Sequence, residues 1–87
     1  MKLSAKTRYA ARILLFLALN GIEKPVSSSQ LAARTGISSQ FSEQILRQLR
    51  LAGITGSIRG AKGGHVLLRK PEELTFGCIV KLMEGGI

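Results

Sequence analysis

The sequence predicts a mainly α fold with one small β-hairpin, on three observations. Four segments of helical periodicity each begin after a Ser or Thr, glycines stand just past their ends, and the period switches to two-residue alternation beyond Gly53. With 87 residues there is room for one domain and one modest core, so residues 1–87 are expected to fold as a single unit. Apolar residues make up 45% of the chain and aromatics 5%, a balance that suits a helical core of Leu, Ile and Ala and argues against disorder.

Ser4 can cap a first helix over 4–20, with Gly21 placed as a left-handed C-terminal cap. Within 10–19 only Arg12 is charged, so this helix is apolar almost all round and is expected at the centre of the fold. A short connection over 22–26 holds Pro25. Ser27 and Gln30 then have the spacing of a capping box opening a second helix to Thr35, which Gly36 breaks. Ile37 reads as a buried turn residue, and Ser38 as the cap of a third helix over 39–52 that stops at Gly53. So tight a Gly-centred turn makes the second and third helices an αα corner.

Beyond it Ile54, Gly56 and Ile58 alternate with Thr55, Ser57 and Arg59, and Val66 and Leu68 alternate with Leu67 and Arg69. Two short strands are implied. Gly60-Ala61-Lys62-Gly63-Gly64 joins them as a basic turn whose glycines allow positive φ. Pro71 ends the hairpin, Thr75 can cap a last helix to Glu84, and Gly85-Gly86 terminates it. Helix, helix-turn-helix, two-stranded wing and C-terminal helix is the order of a winged helix-turn-helix.

The net charge of +8 is uneven. Residues 1–22 carry Lys2, Lys6, Arg8 and Arg12 with no acid, and 44–71 carry Arg47, Arg50, Arg59, Lys62, Arg69 and Lys70 with no acid. Two blocks thus hold the whole excess, which points to an anionic partner; a solvated basic surface is the bland alternative. The longest apolar run, 13–19, is far short of the roughly 20 residues that cross a bilayer. It is followed by Asn20-Gly21 and not by a small-residue cleavage site. Cys78 is the single cysteine, which excludes an internal disulfide framework. A cytoplasmic protein with no membrane partner is expected.

On the third helix Phe41, Ile45, Leu49 and Ala52 share one side at about 100° per residue, and Ser39, Gln40, Glu43, Gln44, Arg47 and Arg50 the other. The apolar stripe would pack inward and leave the polar face to enter the major groove. Gln40 or Gln44 can bond adenine N6 and N7, Glu43 can accept from cytosine N4, and Arg47 can reach guanine or phosphate. A carboxylate facing a duplex is repelled by phosphates, so Glu43 makes sense there as discrimination. The plainer reading is an i,i+4 ion pair with Arg47. Arg59 and Lys62 flank a turn slim enough to follow the DNA backbone, and an arginine there can enter a narrow minor groove. Lys6, Arg8 and Tyr9 lie on the first turns of helix one, where they can hold phosphate; Tyr9 also reads as a residue at the core edge.

The chain resembles the Rrf2 family of bacterial transcription regulators. The resemblance rests on Met1-Lys2-Leu3-Ser4 with Lys6, Arg8-Tyr9-Ala10, Leu31-Ala32 through Gly36-Ile37-Ser38, and Glu43-Gln44. It continues through Leu49-Arg50 to Ala52-Gly53-Ile54, Arg59-Gly60 with Lys62-Gly63-Gly64, and the Pro71 to Glu84-Gly85 tail. It implies a homodimer on a pseudo-palindromic operator, base reading around Gln40, Glu43 and Gln44, and minor-groove contact by Arg59, in a protein that acts as a repressor. Ser42 departs from a usually apolar site, Thr7 from one often glycine, and His65 from one often aromatic. Family members generally continue into a three-cysteine loop, which in many ligates an iron-sulfur cluster, and then a long dimerisation helix. No cofactor is therefore expected within these residues; a cluster would require the natural chain to continue past Ile87 with cysteines, and dimerisation would use residues absent here.

Cys78 falls inside the last helix and reads as a small packing residue, and His65 as a lone imidazole with no ligand-spaced partner, so no metal site is expected. No Ser, His and acid set is grouped so that the expected fold would bring it together, which argues against an enzyme. The Walker pattern is absent from the glycine-rich loop. The rival from another class is a winged-helix module that binds protein and not DNA, which would show an exposed apolar patch on the third helix. A cationic membrane-surface binder would be helical only on lipid.

Overall fold

The computed structural model describes residues 4–20 and 24–85. They form α1 (Ala5–Asn20), α2 (Ser28–Thr35), α3 (Ser39–Leu51), β1 (Thr55–Ile58), β2 (Gly64–Leu67), a 3₁₀ turn (Pro71–Glu73) and α4 (Phe76–Glu84). This is a winged helix-turn-helix, with four helices and a two-stranded antiparallel sheet. The caps expected at Gly21 and Gly86 lie outside the described residues, as do Lys2 and Ile22.

Local chemistry sets the helix ends. The hydroxyls of Ser4, Ser27, Ser38 and Thr75 accept from the backbone N–H of Thr7, Gln30, Phe41 and Cys78 at 3.1, 3.1, 3.2 and 3.1 Å, each satisfying a donor that the first helical turn leaves open. Gly36 closes α2 at φ 75°, and its N–H donates to the Ala32 carbonyl. An L side chain there would strain the backbone even though the space around it is open. The Arg12 guanidinium donates to the Thr35 carbonyl at 3.1 Å, so one cation of the first basic block serves the C-terminal end of α2.

The core gathers Ala10, Ile13, Leu14 and Leu17 of α1, Leu31 of α2, Ile37 of the turn, Ile45, Leu46 and Leu49 of α3, and Ile79 and Met83 of α4. Val26 and Ile54 close it from the connections. α1 is not buried all round: Leu15 is 62% and Leu19 74% exposed, because α4 and the helix-turn-helix cover only part of its circumference. A clasp holds α4 to the start of α1. The Glu84 carboxylate accepts from the Ser4 hydroxyl at 2.5 Å and from the Thr7 hydroxyl, and these bonds hold its pKa below the ordinary carboxylate value.

In the hairpin Thr55 pairs with Leu67, Gly56 with Val66, Ser57 with His65 and Ile58 with Gly64. In β2 the inward residues are the odd-numbered ones. His65 is buried and Leu67 packs on the core, whereas Leu68 is exposed, as is Ile58 on β1. The cause is a third segment, since Val26 bridges His65 through two backbone bonds, Val26 N–H to His65 O at 2.9 Å and His65 N–H to Val26 O at 2.7 Å. At the tip, Gly63 is required by space, because a Cβ there would lie 2.0 Å from the Ile58 carbonyl oxygen.

Candidate nucleic-acid interface

α3 divides as its sequence requires. Ser42, Ile45, Leu46 and Leu49 are buried and Phe41 and Ala52 are half-buried, while Ser39, Gln40, Glu43, Gln44 and Arg47 are exposed and Arg50 is half-buried. Ser42 and Leu46 join the expected inner stripe, and the Ser42 hydroxyl has no hydrogen-bond partner there. Leu51, at the C-terminal end, is the one large apolar residue of α3 exposed to solvent.

Arg59 and Lys62 are exposed in the wing loop. At the N-terminus Arg8 is exposed, and Lys6 and Tyr9 are half-buried. The Tyr9 ring meets Phe41 edge-on, with centroids 5.4 Å apart and planes at 81°, and Arg12 stacks over it at 5.4 Å. Tyr9 thus joins the first turns of α1 to the first turn of α3.

The ion pair of the plainer reading, Glu43 with Arg47, is not formed. The Ser28 hydroxyl donates to Glu43 Oε1 at 2.9 Å and lies 2.9 Å from His65 Nε2, and His65 Nε2 is 3.8 Å from the same Glu43 oxygen. A side chain from the polar face of α3 therefore touches the wing and the start of α2. Burial pushes the His65 pKa down, Glu43 opposes that, and Arg50 adds to it.

A Ser, His and acid set thus does converge, contrary to the sequence expectation. Its order is wrong for a hydrolase: imidazole and carboxylate both address the hydroxyl, and His65 Nδ1, where an orienting acid would bind, has no partner. Neither Ser28 nor His65 carried a signal by itself. The one hint was a histidine at a position where the resembling family often has an aromatic residue.

Cys78 is exposed, not packed, because only Ile79 and Met83 of α4 turn fully inward. No group of three metal-ligating side chains occurs among the described residues. One exposed thiol and a buried, serine-bonded imidazole do not fit an iron-sulfur cluster. No helix among the described residues is long and apolar enough to cross a membrane.

A family model, Rrf2, described as an iron-dependent transcriptional regulator, matches residues 3–87. Protein rrf2 of Nitratidesulfovibrio vulgaris is 43% identical over 84 residues, covering 97% of this chain and 56% of that protein. The HTH-type transcriptional regulator CymR of Bacillus subtilis is 41% identical over 87 residues, 100% of this chain and 63% of that one. A solved structure of that CymR, titled the global cysteine regulator, superposes with a TM-score of 0.91 at 40% identity, over 100% of this chain and 67% of that one. T. potens IscR superposes with a TM-score of 0.90 at 38% identity, over 100% of this chain and 64% of that one. The chain spans a little over half to two thirds of the length of these relatives.

Proposed function

The chain belongs to the Rrf2 family, and from that membership we propose that it is a transcription regulator that binds double-stranded DNA, reading the major groove with α3 and the minor groove with the 59–64 wing. The observation that carries this is the contact of Glu43 with Ser28 and His65. It joins the polar face of α3, where Gln40, Gln44 and Arg47 are exposed, to the hairpin that carries the exposed wing cations Arg59 and Lys62. Ser39, Gln40, Glu43, Gln44 and Arg47 read base edges; Lys6, Arg8, Tyr9, Arg50, Arg59 and Lys62 hold phosphates or the minor groove. Two copies engage a pseudo-palindromic operator, one per half-site, in the cytoplasm, and occupancy represses. An iron-sulfur cluster, where one is used, draws its thiolates from outside these residues.

If about five of the named cations neutralise phosphates in each protomer, log affinity falls against log salt with a slope of about −4 to −5 per protomer. Titration of a duplex recovered from a random library, repeated across salt concentrations, measures it. A flat response overturns the proposal, and an apolar partner captured through Leu51 in its place would favour the protein-binding reading.

A further inference from the structure

We infer that Ser28 and His65 are positioning residues that hold the Glu43 carboxylate for base recognition, an inference that rests on the reading of Glu43 as a cytosine contact. A glutamate on a helix surface must freeze several side-chain torsions before it can discriminate a base. Here that ordering is in place before DNA arrives. Ser28 donates to Oε1 at 2.9 Å, and His65 Nε2 approaches the same oxygen at 3.8 Å. Among the described residues Oε2 has no hydrogen-bond partner, so one oxygen is anchored and the other is left open on a side chain that is 49% exposed.

The anchor itself is fixed from elements other than α3. Ser28 is the first residue of α2, directly after its capping Ser27. His65 is set by its pairing with Ser57 and by its two backbone bonds to Val26. Proton placement follows from donor capacity. Ser28 has one hydroxyl proton, and the carboxylate can only accept it, so the Ser28 oxygen must take its second bond from His65 Nε2–H. A proton on Nδ1 would instead bury an unpaired donor, since that atom is enclosed and without a partner. The chain runs from imidazole N–H to hydroxyl to carboxylate, and it leaves Arg47 unpaired with Glu43 and available to the duplex.

Selection from a random duplex library with the intact chain and its Glu43→Ala, Ser28→Ala, Ser28→Thr and His65→Phe variants tests this. Glu43→Ala should erase the preference at one base pair per half-site. Ser28→Ala should weaken that same preference about tenfold, the worth of a hydrogen bond to a charged group, with the other positions unchanged. Ser28→Thr should restore it. His65→Phe should weaken it less, because Ser28 keeps its own proton for Glu43. Undiminished discrimination by both Ser28→Ala and His65→Phe overturns the inference, as does an even loss at every position. If Glu43→Ala itself changes no position, the underlying base-reading assignment is what fails.

Discussion

Replacing Ser42 with alanine should make the protein more stable. Ser42 is 2% exposed on the inner face of α3, and its hydroxyl has no partner. A buried polar group left unsatisfied costs about 1–3 kcal/mol, and alanine exceeds serine in helix propensity by about 0.5 kcal/mol. Against these, an oxygen's worth of void, on the order of 10 Å³ at about 24 cal/mol per Å³, costs about 0.2 kcal/mol. The sum favours Ser42→Ala by about 2 kcal/mol, and in a domain of this size each kcal/mol moves Tm by roughly 4–8 °C, so a rise of about 10 °C is expected. Thermal and urea unfolding followed by circular dichroism read it directly. Duplex affinity should not change, because the side chain points away from the polar face. A midpoint equal to or below that of the unmodified protein would refute the reasoning and mean that the hydroxyl is satisfied in solution.

Gly63→Ala places a Cβ 2.0 Å from the Ile58 carbonyl oxygen and forces the hairpin tip to shift; duplex affinity should drop with little change in the base preferences set by α3, and equal affinity would show that the tip is unimportant. His65 has a folded pKa below its unfolded value of about 6.5, so the unfolded chain takes up the proton first. Stability is full above that value and is lost as pH falls through the folded pKa. Urea midpoints at pH 7.5 and 5.5 should therefore differ more in the unmodified chain than in His65→Phe; parallel shifts would remove His65 as the cause.

The helices were legible because their signals are local. A serine or threonine followed by helical periodicity marks a start wherever it occurs, as Ser27, Ser38 and Thr75 do, and Gly36 and Gly53 mark ends by the same logic. Which side of β2 faces in was not legible, since Val66, Leu67 and Leu68 are all apolar and Val26, nearly forty residues away, decides it. The outward residues of α3 followed from periodicity alone. What holds Glu43 did not, because Ser28 and His65 are 37 residues apart and meet only through tertiary pairing. The exposed flank of α1 was missed for a related reason: composition shows that Leu15 and Leu19 are apolar, not whether another element covers them.

The Val26 bridge makes the hairpin something other than a pliant finger. Tied to the segment that leads into α2, it is braced at its base by two short backbone bonds, so its angle to α3 is settled in the unbound molecule. A hairpin braced in this way adapts less readily to a differently spaced pair of grooves than a free one would. On the proposed DNA-binding reading the duplex would do the bending, and stretches that resist deformation would be turned away at base pairs no side chain reaches.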